Sequence, residues 1–151
     1  MLGWGNRGYE SMRAFPMILV VVIIYNLVFF GGALAGHHEM QALLDQSFAL
    51  KMFSGDIWRV TASDLFVVGA LATLFIETIR AARSDSREIL NHAFSMLTFC
   101  VALVEFIVLK GFSTSAFFLI TLMCLFDVVA GYSISIVCAR RDLAVLPQSD
   151  R

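Results

Sequence analysis

The sequence predicts an all-α integral membrane protein, a four-helix bundle with both termini in the cytoplasm and a short interfacial helix in its first external loop. Three observations predict it. Four apolar runs, at residues 15–36, 60–79, 89–109 and 114–139, each approach or exceed the ~20 residues that cross a bilayer. Arg and Lys gather on one side of those runs. Of the 151 residues, 59% are hydrophobic, whereas a soluble domain holds about 45–50% apolar residues. Mean hydropathy is +0.81. Only 15% of residues are charged, too little polar surface to cover a soluble core built of four apolar helices. The net charge of -1 says nothing about nucleic acid, but the sequence has no basic patch of the size that phosphate binding needs, so no nucleic-acid partner is expected.

The first run, 15–36, carries no charge and has Pro16 where a helix tolerates it, in the first turn. Arg7 and Arg13 precede it, and Ala33-Leu34-Ala35 has the form of a signal-peptide cleavage site. The run is long for a signal peptide, so a retained anchor is expected. In the second run, Ser63 is the expected helix N-cap and Asp64 suits the positive end of the helix dipole. Glu77 is expected to pair with Arg80 one turn on. Trp58 reads as an interfacial anchor. The third and fourth runs are joined by a short turn around residues 110–115 and should form an antiparallel helical hairpin.

Eight of the eleven basic residues lie in the amino-terminal tail (Arg7, Arg13), the second loop (Arg80, Arg83, Arg87) and the carboxy-terminal tail (Arg140, Arg141, Arg151). Lys51, Arg59 and Lys110 lie on the other side. The positive-inside rule places both termini in the cytoplasm of a bacterial inner membrane. In the external loop, 37–59, Met40, Leu44, Phe48 and Met52 recur every four residues, with Leu43 alongside. Glu39, Gln41, Asp45 and Gln46 lie off that stripe. This is the pattern of a short helix on the membrane surface. No repeat, low-complexity stretch or second domain interrupts residues 1–151.

Polar groups in hydrocarbon need partners, so they mark the packing faces. In the third run Asn91, Ser95, Thr98, Ala102 and Glu105 form one helical seam. In the fourth, Thr121, Cys124, Gly131, Ser135 and Cys138 form another, with Asp127 one turn from both Cys124 and Gly131. Gly32 with Gly36, and Gly69 with Thr73, are small-residue pairs that allow close backbone approach. Depth along each run predicts a midplane layer of Asn26, Thr73, Thr98 and Asp127. An ionised carboxylate at that depth costs about 2.5–3.5 kcal/mol on insertion scales. A protonated Asp127 bonded to Asn26 or a threonine costs far less. Two roles follow for Asp127, a proton or cation site and a hydrogen-bonding staple between helices. The lack of a cationic partner within the runs favours the staple. Glu105 is expected near the outer surface, in an ion cluster with Asp64, Lys110 and Arg59.

His37, His38 and Glu39, with Asp45, offer metal-ligand chemistry, but they lack a fixed metal-binding spacing. They read as a polar cap, so no metal and no cofactor is expected. His92 lies at the opposite face from His37 and His38, which argues against paired haem ligation. Cys100, Cys124 and Cys138 form no paired motif and read as apolar helix residues.

Four segments, Ser95-Met96-Leu97, Val104-Glu105-Phe106, Phe117-Phe118-Leu119 and Asp127-Val128-Val129-Ala130-Gly131, give the stretch 64–142 its character. That stretch resembles small four-helix inner-membrane proteins of proteobacteria. The resemblance implies the bundle and the membrane, and no activity. Small multidrug transporters carry a glutamate in the first span, quinone-linked disulfide enzymes need loop cysteines, and voltage sensors need an arginine-rich span; none of these is present. The expected function is therefore non-enzymatic: an accessory or scaffold subunit packing against itself or other membrane subunits in the lipid bilayer. The alternative is a small proton- or cation-coupled transporter or channel using Asp127. A membrane enzyme or metal protein built on His37, His38 and Glu39 ranks third.

Overall fold

The computed structural model describes residues 15–34, 44, 46–81 and 88–145. Among them the chain forms helix α1 (Met17–Leu34), strands β1 (Ser47–Lys51) and β2 (Ile57–Thr61), and helices α2 (Ala62–Ala81), α3 (Glu88–Val108) and α4 (Ser115–Val145). Three of the helices are long and apolar enough to cross a membrane, over Ala62–Ala81, Asn91–Val108 and Ser115–Val137. Met17–Gly32 is a shorter apolar helix. Pro16 sets where it begins. Proline has no N–H to give a preceding turn, and its carbonyl accepts the Leu19 amide at 3.2 Å. The expected run 15–36 thus loses its first two residues to the helix start, and residues 35–36 lie outside the described set.

Helix α1 is apolar all round, so hydrophobicity alone does not choose its inner face. Packing does. Ile18, Val21, Val22 and Tyr25 are buried, while Val20, Ile23, Ile24, Leu27 and Phe30 point outward. The same holds for the other helices, whose exposed faces carry Leu65, Phe75, Leu97, Ile107, Phe126 and Val137. Such a belt suits lipid and is costly in water.

The polar cap expected at His37, His38 and Glu39 lies outside the described residues. Of the stripe expected to form a surface helix, Met40 and Leu43 lie outside the described residues, and from Ser47 on the chain forms a two-stranded antiparallel hairpin instead, with Phe48 opposite Val60 and Leu50 opposite Trp58. A four-residue spacing is an even number, so Phe48 and Met52 satisfy a strand's alternation as readily as a helix's stripe. The β-branched and aromatic residues Ile57, Trp58, Val60 and Thr61 tip the balance toward strand. The turn is closed by Met52 N–H to the Asp56 carbonyl at 2.9 Å. Gly55 supplies its positive φ, 95°.

The N-cap of α2 is Thr61, not the expected Ser63. Thr61 Oγ1 accepts the Asp64 amide at 3.2 Å, and Asp64 Oδ2 accepts the Thr61 amide at 2.8 Å. This reciprocal pair is a capping box. Ser63 instead donates to the Leu44 carbonyl at 3.3 Å.

Between α3 and α4 the tight turn at Gly111, also at φ 95°, folds the two helices back on each other. Thr114 caps α4 by accepting the Phe117 amide at 3.1 Å, and it bonds the Tyr25 hydroxyl at 3.1 Å. Around this junction Tyr25, Phe66, Phe112 and Phe117 form an aromatic core. The Tyr25 ring lies 4.8 Å from Phe117 and 5.1 Å from Phe66. Phe112, fully buried, packs with its ring centroid 4.3 Å from that of Phe29, the two rings tilted.

Gly55 and Gly111 share one backbone conformation but not one environment. A Cβ at Gly55 meets nothing within 4 Å, whereas one at Gly111 lies 2.9 Å from Phe29 Cε2. Left-handed backbone costs an L-residue about 1–2 kcal/mol. Gly55→Ala should lose about that much. Gly111→Ala should lose more, with the order read from thermal unfolding in detergent.

Candidate functional site

The polar seam of α3 faces inward. His92, Ser95, Thr98 and Ala102 are buried, with Asn91 and Glu105 half-buried. Opposite them α4 buries Thr121, Cys124, Asp127, Val128 and Gly131. Helix α2 adds Glu77. The result is a cluster of ionisable groups from three helices, with Glu77, His92 and Asp127 only 5%, 6% and 6% exposed.

Each group is held by named partners. Glu77 Oε2 accepts the backbone amide of Met17, the first residue of α1, at 3.0 Å. That amide is one of the donors a helix start leaves free, at the positive end of its dipole. Asn91 Nδ2 donates to the other Glu77 oxygen at 3.5 Å. Ser95 and His92, both buried on α3, lie near Asp127. Glu77 and Asp127 are close enough for their charges to interact. Asp127 Oδ2 is buried with no hydrogen-bond partner among the described residues. His92 Nε2 pairs with Ser135 Oγ at 2.8 Å, and its ring stacks on Tyr132 at 5.3 Å. A glycine is required behind the imidazole, because a Cβ at Gly131 falls 2.5 Å from His92 Cε1 and Nδ1.

Among the described residues no group of three or more His, Cys, Asp or Glu is arranged to hold a metal ion. His37, His38, Glu39 and Asp45 lie outside the described residues.

The four residues expected in a midplane layer keep different company. Asn26 donates to the Val22 carbonyl at 3.0 Å and to Glu105 Oε2 at 2.9 Å, tying α1 to α3. Thr73 donates to Ala70 and Thr98 to Phe94, both carbonyls of their own helices, at 2.8 and 2.7 Å. Asp127 alone of the four sits in the carboxylate–imidazole cluster. Of the expected outer ion cluster, Glu105 is bonded to Asn26, and Asp64 is engaged in the α2 capping box. Lys110 and Arg59 are exposed. No ion pair joins these four among the described residues. Glu77 turns inward rather than toward Arg80, since the Met17 amide and Asn91 offer it buried donors.

Glu77, His92 and Ser135 escape a reading by depth along the runs. A sequence signal for His92 and Ser95 exists nonetheless. Ser95 and Asp127 each stand 16 residues from Gly111, while His92 and Gly131 stand 19 and 20 away. Counting outward from the turn pairs them correctly.

No family model, curated protein or solved structure matches the chain. The site therefore rests on its own geometry.

Gly131→Ala should displace the imidazole from Ser135. The expected result is a lower unfolding temperature in detergent and a changed His92 ring nitrogen spectrum. Gly69→Ala, where the added Cβ meets nothing within 4 Å, should leave both unchanged.

Proposed function

We propose that this chain is a multi-pass protein of a bacterial inner membrane, with α1 as a fourth span and both termini cytoplasmic, that binds and passes protons at Asp127, Glu77 and His92. The basic bias of the sequence and the apolar outer faces of the helices support the placement. The Met17–Glu77 bond sets the start of α1 level with the end of α2. Both ends lie on the arginine-rich side, so the cluster lies toward the cytoplasm.

One observation carries the reading. Asp127 Oδ2 is buried without a hydrogen-bond donor among the described residues. A buried polar atom left unpaired costs about 1–3 kcal/mol. A residue kept only to staple helices has no reason to bear that cost, whereas one that takes up and releases a proton does. The proton is favoured over a metal cation because the cluster lacks a metal-ligand arrangement.

The test is proton flux in vesicles reconstituted with the purified protein and a trapped pH dye. Asp127→Asn, which keeps the shape and removes the exchangeable carboxyl proton, should lower flux at least about tenfold, equivalent to ~1.4 kcal/mol on the barrier. Thr73→Val, which touches only an own-helix bond, should leave it unchanged. Equal flux from the wild type and Asp127→Asn overturns the proposal.

A second reading, an accessory subunit or homo-oligomer, is favoured by α2. Its Leu65, Val68, Leu71 and Phe75 face outward, and Gly69 opens onto free space where another backbone fits. Gly69→Leu should then abolish crosslinking to a neighbouring subunit in native membranes. Crosslinking unchanged by it counts against this face.

A further inference from the structure

The β1–β2 hairpin divides its side chains by face. Phe48, Leu50, Trp58 and Val60 lie on one side, and Ser47, Ala49, Lys51, Arg59 and Thr61 lie on the other, with Ile57. Of the apolar row only Val60 is buried; Phe48, Leu50 and Trp58 are open. At the tip Met52 is exposed and Phe53 touches almost nothing, at 113% relative exposure. Ile57, on the opposite face, is exposed too; a lone two-stranded hairpin is marginal in water, and water does not stabilise these six large apolar side chains held out on it.

Its position supplies the missing partner. The last residue of β2, Thr61, is also the N-cap of α2, and the Ala62 amide bonds back to the Gln46 carbonyl at 3.0 Å. The hairpin therefore leaves the bundle where a membrane-crossing helix begins, at the level of the lipid headgroups. Leu65 and Val68 of α2 continue outward-facing apolar surface from that point. Each strand is about 17 Å long, enough to reach beyond the bundle's edge. Lys51 and Arg59, on the opposite face, have stems long enough to carry their charges to headgroup phosphates. Tryptophan at such a level is the side chain that prefers the interface.

We infer that the β1–β2 hairpin lies on the bilayer surface at the amino-terminal end of α2, seating Phe48, Leu50, Trp58 and Phe53 among the lipid headgroups and upper acyl chains. The occupant of its apolar face is the lipid around the protein itself. This does not rest on the proton site, which lies toward the other end of α2.

The chain holds two tryptophans, so Trp4→Phe leaves Trp58 as the sole reporter. In vesicles of phosphatidylcholine and phosphatidylglycerol, Trp58 emission should be blue-shifted. Acyl chains brominated near the headgroup should quench most of it, and aqueous iodide should quench little. Phe53→Ser in the same background should weaken lipid quenching while far-UV circular dichroism stays unchanged. Full quenching by iodide with none by brominated lipid overturns the inference in favour of a hairpin standing in water. Shielding from both quenchers overturns it in favour of a protein partner on that face.

Discussion

The turn at Gly111 fixes the register of α3 against α4, and with it the depth at which their side chains meet. Because the connection is tight and its φ is positive, neither helix can slide without rebuilding the turn. Phe29 packs against the glycine, and Phe112 and Phe117 fill the space beneath it. From this fixed end the two helices run antiparallel, so Ser95 meets Asp127 and His92 meets the bare backbone of Gly131. Glu77 then joins from α2. The cluster is thus a consequence of counting from one hinge, with the aromatic junction holding the count in place.

Lipid changes what chooses a helix face. In water, apolar residues go inside because outside is costly. In hydrocarbon that preference vanishes, and the inner face falls to residues that are small or polar. Helix α1 shows the first half of the rule: both of its faces are apolar, and Tyr25 and Asn26 mark the inner one through bonds to Thr114 and Glu105. Helix α3 shows the second half. Among its described residues those buried are a histidine, a serine, a threonine and an alanine.

That rule explains what was legible. The seam Asn91, Ser95, Thr98, Ala102, Glu105 was readable because polarity in a long apolar run has one physical meaning. The partners across the seam were less so. Depth measured from the ends of apolar runs groups Asp127 with Thr98 and Asn26, but those ends do not coincide with helix ends, as Pro16 and Thr61 demonstrate. Threonine also satisfies itself on its own helix, so Thr73 and Thr98 need no partner across the bundle. Glu77 was hidden by its neighbour: three residues from Arg80 it has the look of a surface pair, and only the arrival of the Met17 amide and Asn91 in three dimensions reveals otherwise. The hairpin was hidden by arithmetic, since an apolar residue every fourth position suits either regular structure.

Helix α4 is longer than a membrane crossing requires. Its 31 residues extend about 46 Å, against a hydrocarbon core of about 30 Å. The stretch apolar enough to span ends at Val137, and Arg140 beyond it is exposed. The last two turns therefore extend as a stalk past the stretch that could span, continuous through unbroken backbone with the turn that carries Asp127. A sideways push on that stalk is a torque on the helix at the depth of the acid.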